Sequence, residues 1–125
     1  MAKILVIDDD RHIRTLVNAF LVQNGHEVEL AENGKVGLKL IEHNRYDLLI
    51  TDVVMPEQDG LGLLMALKGR VPRIRTIVMS GGGERLNIEN YLNTARLLGA
   101  DRVLPKPLDF LKLQIAVEEV LEAKP

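Results

Sequence analysis

The fold is decided by residues 4–10, which read ILVIDDD. Four consecutive aliphatic residues are typical of a short strand that is covered on both faces of its sheet, and three acidic residues follow the strand directly. Short apolar stretches recur along the chain at residues 28–30, 48–50, 77–79 and 103–104, the first of them interrupted by Glu29. Together these runs predict five short strands.

The segments between the runs have helical periodicity. The clearest one has apolar side chains at i, i+3, i+4, i+7 and i+8, which predicts a helix with one apolar stripe against a sheet. The members of this stripe are Ile13, Leu16, Val17, Phe20 and Leu21. Gly25 is expected to cap this helix, and Asn33-Gly34 to open the next one. Strands that alternate with helices predict an α/β fold, in which right-handed crossovers connect the strands of a parallel sheet.

The composition is that of a globular protein, and we expect a single domain over residues 1–125. A net charge of -2 and an aromatic content of 3% argue against a surface that binds nucleic acid or an anionic membrane. The absence of cysteine excludes a disulfide framework and thiolate ligands for a metal. Because there is neither a signal peptide nor an apolar stretch long enough to cross a bilayer, we expect a soluble, cytoplasmic protein.

Chemically reactive side chains follow the predicted strands, at the edge where ligands of open α/β sheets bind. Asp8 and Asp9 come after the first strand, Asp52 after the third, Ser80 after the fourth, and Lys106 just beyond the fifth. Carboxylates that share a partly buried site repel one another, so a hard cation among them stabilises the site. Magnesium is such a cation, and it is usually held by one or two carboxylates plus a phosphate. A lysine charge and a serine hydroxyl complement a phosphoryl group, so the set indicates phosphoryl chemistry.

Each of these residues alone also has a purely structural explanation. An aspartate after a strand is often a helix cap, which we expect for Asp10 and which also suits Asp8 or Asp9. Asp52 could be an ordinary loop residue, and Ser80 before three glycines could be part of a turn. Only the combination at one edge of the sheet is specific.

The chain resembles the receiver domains of response regulators, and the resemblance extends from Lys3 to about Leu121. The segments that carry it are residues 4–10 (ILVIDDD), residues 46–52 (YDLLITD), Met55-Pro56, Asp59-Gly60, Met79-Ser80, Gly99-Ala100-Asp101 and Lys106-Pro107. The resemblance implies a flavodoxin-like, doubly wound (βα)5 fold with a five-stranded parallel sheet in the order 2-1-3-4-5. It also implies a regulatory phosphoacceptor of a two-component phosphorelay rather than an enzyme, with catalysis limited to its own phosphorylation and dephosphorylation.

The resemblance gives each residue at the strand ends a role. Asp52 is the implied phosphoacceptor, and Ser80 and Lys106 are implied to bind the phosphoryl oxygens. The implied ligands of Mg²⁺ are Asp9, Asp52 and the carbonyl of Val54, which bind directly, and Asp8, which binds through water. The Lys106-Pro107 peptide bond is implied to be cis. The implied phosphoryl donor is a sensor histidine kinase, a phosphotransfer protein or a small acyl phosphate, and the phosphorylated form acts on an unidentified downstream protein.

The chain departs from the family at the position three residues before the lysine, where Val103 replaces the usual aromatic residue. Activation would therefore be relayed without an aromatic switch, and we expect the glycines at residues 81–83 to carry the change into residues 84–98. We expect partners to bind a face made by the fourth helix, the fifth strand and the fifth helix. The residues expected on this output face are Val103, Leu108, Leu111 and Ile115, opposite a core stripe of Leu113, Val117, Val120 and Leu121.

Two other functions remain open at this point. A receiver-like interaction module that is never phosphorylated also fits, because the aromatic switch is absent. A haloacid-dehalogenase-like phosphatase would use Asp8 as its nucleophile, since Asp8 and Asp10 form an Asp-x-Asp pair. That alternative leaves Asp52 without a role and lacks a further acidic pair shortly after Lys106 to complete its metal site.

Overall fold

The computed structural model describes residues 2–52, 60–67, 73–80 and 99–123. Its centre is one parallel sheet of five strands in the order β2-β1-β3-β4-β5. The strands are β1 (Lys3–Ile7), β2 (Glu27–Ala31), β3 (Leu48–Asp52), β4 (Arg75–Ser80) and β5 (Arg102–Pro105). Each aliphatic run of the sequence lies inside one of these strands, so the predicted strands and their order are confirmed.

Four helices lie in the described ranges. They are α1 (Arg11–Gln23), α2 (Gly34–His43), α3 (Gly60–Leu67) and α4 (Phe110–Glu122). Their alternation with parallel strands confirms the doubly wound, flavodoxin-like α/β fold. The helix expected within residues 84–98 lies outside the described residues, so α4 is the fifth helix of the sequence prediction. None of the helices in the described ranges has the length and apolar character needed to cross a membrane.

Polar side chains fix the starts of three helices. The carboxylate of Asp10 accepts hydrogen bonds from the backbone N–H groups of the first turn of α1, as predicted, and Asp109 does the same for α4. Asn33 caps α2 in the same way. Gly25 follows α1 with a φ of 90°, a left-handed conformation that favours glycine. The three N-caps start their helices close to the preceding strands, and Gly25 lies between the end of α1 and the start of β2.

Helices cover both faces of the sheet, which explains why the central strands β1 and β3 are buried along nearly their whole length, whereas the edge strand β2 (EVELA) alternates. On one face Val17 of α1 and Leu113 of α4 are buried against the strands. On the other face Ile41 of α2 and Leu63 of α3 are buried. Burying one such side chain contributes about 1.5–3 kcal/mol. The carboxyl ends of β1 and β3 are therefore held side by side by a packed core.

One residue of the predicted apolar stripe of α1, Leu16, does not pack against the sheet. Val17 and Leu21 are buried, but Leu16 is 42% exposed. In a helix of 3.6 residues per turn, Leu16 lies about 100° around the axis from Val17, at the margin of the face that contacts the sheet. The packing of α1 therefore uses a narrower stripe than the sequence suggests.

The prediction that Leu108 is an exposed residue of the last helix is wrong. α4 begins at Phe110 with Asp109 as its cap, so Leu108 precedes the helix. Leu108 is partly buried and packs against the core cluster that contains Leu113. A hydrophobic residue just before a cap commonly packs in this way on the helix that follows.

Candidate functional site

The side chain of Lys106 joins two aspartates at the carboxyl edge of the sheet. Its Nζ lies 2.8 Å from Oδ2 of Asp8 and 2.9 Å from Oδ2 of Asp52. Asp8 is fully buried and Asp52 is 5% exposed, so these ion pairs are largely shielded from water. Hydrogen bonds between charged groups are stronger than neutral ones, and this pair of contacts fixes the lysine between the two acids.

Strand pairing explains why these three residues meet. β1 and β3 are neighbours, and Ile7 pairs with Thr51. The next residues in the chain, Asp8 just after β1 and Asp52 at the end of β3, therefore lie at the same edge of the sheet. β5 lies beyond β4, and Lys106 directly follows it. The lysine therefore reaches across the end of β4 to contact the two acids.

Asp9 completes a cluster of three carboxylates with Asp8 and Asp52. One ligand oxygen from each residue can be chosen so that all three lie within 4.8 Å of one another, and Asp9 is exposed to solvent. Mg²⁺ prefers oxygen ligands and keeps several of its waters, which an exposed ligand at the rim allows. The donor set fits a magnesium ion, and the acidic cluster is consistent with the metal site typical of receiver domains.

The electrostatics of the site favour a charged lysine and disfavour charge on Asp8. Burial raises the pKa of Asp8, and the hydrogen bond from Lys106 only partly offsets this effect. Burial alone would lower the pKa of Lys106, but the hydrogen bonds to Asp52 and Asp8 outweigh it and raise the pKa. The site therefore favours a positively charged lysine beside the two aspartates, and a bound cation would further stabilise the charged form of Asp8.

The turn that follows β1 separates the roles of the three consecutive acids. Asp8 is held at both oxygens, because Oδ1 accepts a hydrogen bond from the backbone N–H of Asp10 at 2.8 Å while Oδ2 contacts Lys106. Asp10 caps α1 and does not face the cluster. A fully buried Asp8 with both oxygens engaged is poorly placed to attack a substrate, which argues against the phosphatase alternative.

Arg14 contacts this turn as well, and nothing in the sequence pattern singles it out. Its Nη1 donates a hydrogen bond to the carbonyl oxygen of Asp8 at 2.6 Å. A basic residue four positions after an acidic run on an amphipathic helix is ordinary, so only the structure reveals the contact.

One predicted site residue, Ser80, is only partly described, and another, Val54, lies outside the described residues. Ser80 ends β4, where it pairs with Pro105 of β5, and its side chain is outside the described part. Val54, expected to offer its carbonyl to the metal, lies outside the described residues, as do the glycines at residues 81–83. The Lys106-Pro107 peptide bond is cis, as predicted.

The expected output face is partly exposed. Leu111 is 65% and Ile115 is 47% exposed on the outer side of α4, while Leu113, Val117 and Val120 are buried beneath them, as predicted. Val103 is partly buried on β5. Leu108 does not belong to the exposed set, and the expected contribution from residues 84–98 lies outside the described residues.

Known proteins resemble this chain over nearly its whole length. The model of the response regulator receiver domain matches residues 4–118. The DNA-binding transcriptional regulator NtrC of Azospirillum brasilense is 41% identical over 125 residues, which cover 98% of this chain and 24% of NtrC. The solved receiver domain (CheY-like) from Methanospirillum hungatei JF-1 has a TM-score of 0.88 and 27% identity, covering 98% of this chain and 94% of that one. The solved structure of the chemotaxis protein CheY4 of Vibrio cholerae has a TM-score of 0.84 and 27% identity, and the match covers 96% of this chain and 98% of that one.

These matches agree with the fold and with the acidic pocket. The chain spans about a quarter of the length of the NtrC relative, so the activity of that whole regulator is not assigned by the match. The sheet order, the cluster of Asp8, Asp9 and Asp52, and the adjacent Lys106 are all present in one arrangement. The chain belongs to the response regulator receiver domain family of two-component signalling, whose members are regulatory phosphoacceptor modules that histidine kinases phosphorylate.

Proposed function

We propose that Asp52 accepts a phosphoryl group in a reaction that requires Mg²⁺, and that phosphorylation switches the binding of a partner protein. The donor is a phosphohistidine of a sensor kinase or phosphotransfer protein, and a small acyl phosphate can replace it. We further propose that residues 1–125 act as one receiver domain. Such a domain works in the cytoplasm, because a kinase that draws its phosphate from ATP must present it there.

One observation carries the proposal: Nζ of Lys106 contacts Asp52 at 2.9 Å and Asp8 at 2.8 Å in the same buried pocket. A lysine that served only to neutralise one acid would not need to reach across a strand to two of them. The pocket also has an exposed carboxylate, Asp9, on its solvent side. This arrangement suits a site that exchanges a bound anion with solvent while its charges stay compensated.

The proposed chemistry is a transfer between two residues. A carboxylate oxygen of Asp52 forms a bond to phosphorus, the bond between phosphorus and the donor imidazole breaks, and the imidazole leaves. Lys106 then moves its hydrogen bond from Asp52 to a phosphoryl oxygen, and Ser80 donates its hydroxyl to another. Asp8, Asp9, Asp52 and the carbonyl of Val54 would hold Mg²⁺. When bound, the ion neutralises charge on the phosphoryl oxygens and on the carboxylates.

The proposed output face comprises Val103, Leu111 and Ile115 together with residues 84–98. Support comes from the two exposed apolar side chains of α4, which lie one helical turn apart. Exposed apolar groups at this spacing are suited to a partner surface. The face lies next to β5, which ends at the residue before Lys106. A change in the position of the lysine can therefore move the backbone of β5 and the residues of this face.

Incubation with acetyl phosphate and MgCl₂, followed by intact-mass analysis, tests the phosphoacceptor role. We expect one added phosphoryl group on the wild type, none on Asp52→Asn, and none when EDTA replaces the metal. Asp10→Asn is the matched control, since it removes an adjacent charge but leaves an asparagine that caps a helix equally well. Labelling of Asp52→Asn at the wild-type rate would refute the assignment, and absence of labelling in every protein would favour the module that is never phosphorylated.

Hydrogen exchange with and without beryllofluoride tests the proposed output. We expect the mimic to change protection in residues 81–98 and at the exposed side of α4 more than in α1 and α2. A uniform change, or no change in residues 81–98 although Asp52 is occupied, would contradict the proposed face.

A further inference from the structure

Arg14 contacts the peptide that joins two residues of the acidic cluster. Its Nη1 lies 2.6 Å from the carbonyl oxygen of Asp8, and that carbonyl belongs to the peptide bond between Asp8 and Asp9. A strong hydrogen bond to the carbonyl restricts rotation of the peptide plane. The guanidinium therefore acts on the backbone that carries the exposed Asp9 carboxylate.

The turn from Asp8 to Asp10 is held at both ends, and Arg14 contributes to each. At the Asp8 end, the backbone N–H donates to the carbonyl of Ala31 at 3.2 Å, and the guanidinium of Arg14 binds the Asp8 carbonyl. At the Asp10 end, the backbone N–H of Arg14 donates to the carbonyl of Asp10 at 3.0 Å. Asp9 lies between these anchors with its side chain in solvent, so its position depends on the backbone of the turn.

We propose that Arg14 is a positioning residue of the metal site, and that its hydrogen bond to Asp8 orients the Asp8–Asp9 peptide so that the three carboxylates converge. The proposal rests on the proposed function, because it concerns the same metal. Groups that orient metal ligands from outside the coordination sphere typically change metal affinity 10–100-fold when they are removed. Arg14 acts through the backbone and does not touch the ion or the phosphoryl group.

The direction in which Mg²⁺ affinity changes when Arg14 is replaced shows whether Arg14 acts by orienting the turn or only through its charge. A guanidinium beside a divalent cation repels it, so if Arg14 acted only through its charge, its removal would strengthen Mg²⁺ binding. If Arg14 acts by orienting the turn, its removal weakens binding in spite of the relieved repulsion. Arg11, one turn earlier on the exposed side of α1, provides the matched control, since no hydrogen bond or ion pair of its side chain with the described residues is found.

Amide chemical shifts of the ¹⁵N-labelled chain, recorded during a MgCl₂ titration at 25 °C, give the dissociation constant and show in the same spectra that each variant is folded. We expect Arg14→Met to raise the dissociation constant about tenfold. Arg14→Lys keeps the charge and one donor but loses the planar fork, so its constant should lie between those of Arg14→Met and the wild type. Arg11→Met should bind Mg²⁺ as the wild type does or slightly more tightly.

A dissociation constant of folded Arg14→Met that equals or falls below that of the wild type would overturn the proposal. If Arg14→Met does not fold, Arg14→Lys decides, and wild-type affinity in that variant would overturn the proposal equally. Failure of the proposed function is recognised separately, because the wild type would then show no saturable Mg²⁺ binding that Asp52→Asn abolishes.

Discussion

Nζ of Lys106 and Oδ2 of Asp52 lie 2.9 Å apart although β4 lies between β3, which carries Asp52, and β5, which Lys106 directly follows. The lysine side chain is only 15% exposed, so the contact forms across the end of β4 largely out of solvent. This ion pair compensates the acidic cluster as long as no metal is bound. Lys106 therefore stabilises the fold. In the proposed reaction its ammonium group exchanges the hydrogen bond to Asp52 for one to a phosphoryl oxygen.

Replacing Lys106 by methionine should destabilise the metal-free protein. The variant leaves the carboxylates of Asp8 and Asp52 buried without their partner, and removing one member of a buried pair commonly costs about 3 kcal/mol or more. Chemical denaturation in EDTA measures the loss. Lys112→Met, on the exposed side of α4, is the control and should change the free energy of unfolding by less than about 0.5 kcal/mol. Equal stabilities of the two variants in EDTA would show that the ion pairs do not support the fold.

Mg²⁺ should stabilise the wild type and should do so much less when Asp9 is replaced by asparagine. A ligand that binds only the folded state at 100 times its dissociation constant adds about 2.7 kcal/mol. Thermal unfolding with and without MgCl₂ measures the gain. Asp10→Asn removes a charge from the next residue but keeps the cap of α1, so it should retain the gain. If Asp9→Asn and Asp10→Asn respond alike, Asp9 does not hold the metal.

His26 should make the protein less stable as the pH falls through the mildly acidic range. Nδ1 of His26 accepts a hydrogen bond from the backbone N–H of Ala2 at 3.3 Å. Burial, followed by the charge of the N-terminal amine, lowers the pKa of His26 below its ordinary value, and Glu118 opposes the shift. At about pH 6.5 the unfolded chain takes up a proton that the folded chain does not. The free energy of unfolding therefore decreases as the pH is lowered through this window.

The variant His26→Gln cannot titrate and keeps an acceptor, so it isolates the effect. We expect the free energy of unfolding of the wild type, relative to that of His26→Gln, to fall between pH 7.5 and pH 5.5. A difference that is constant over that range, or that rises toward acid, would contradict the lowered pKa.

Gly37 lets α2 approach β1 just before the acidic turn. A Cβ at this position would lie 2.2 Å from Cδ1 and 3.0 Å from Cγ1 of Ile7, which is fully buried. Overpacking costs about 1–3 kcal/mol and alanine improves helix propensity by about 1 kcal/mol, so Gly37→Ala should lose about 1 kcal/mol of stability.

The double variant Ile7→Val/Gly37→Ala tests whether this contact is the cause. Valine lacks Cδ1, the atom nearest to the added Cβ. The double variant should therefore lose less stability than the two single variants lose together. Strict additivity in denaturant unfolding would assign the loss to another contact.

Much of the fold could be predicted because the central strands are short apolar runs that need cover on both faces. Parallel pairing then fixes which residues share an edge, so the convergence of Asp8, Asp52 and Lys106 could be foreseen from their positions after the strands. Periodicity does not show where a helix begins, which is why Leu108 was misplaced. It also does not show how wide the contact with the sheet is, which is why Leu16 was expected in the core.

The contact of Arg14 with Asp8 could not be predicted for a different reason. A side chain that binds a backbone carbonyl leaves no pattern in the residue types, because every residue offers the same carbonyl. The bridge from Lys106 to two acids is a similar case. The sequence predicts that the charges meet, but the choice of partners depends on side-chain reach and on the depth of burial.

The identity of the phosphorylated residue tests the central claim most directly. Borohydride reduces an aspartyl phosphate to homoserine, so tandem mass spectrometry of the reduced and digested chain locates the group. After incubation with acetyl phosphate and MgCl₂, we expect homoserine at position 52 and aspartate at positions 8 and 9. Homoserine at position 8 or 9, or unchanged aspartate at position 52 although intact-mass analysis shows a phosphoryl group, would contradict the assignment of Asp52 as the phosphoacceptor.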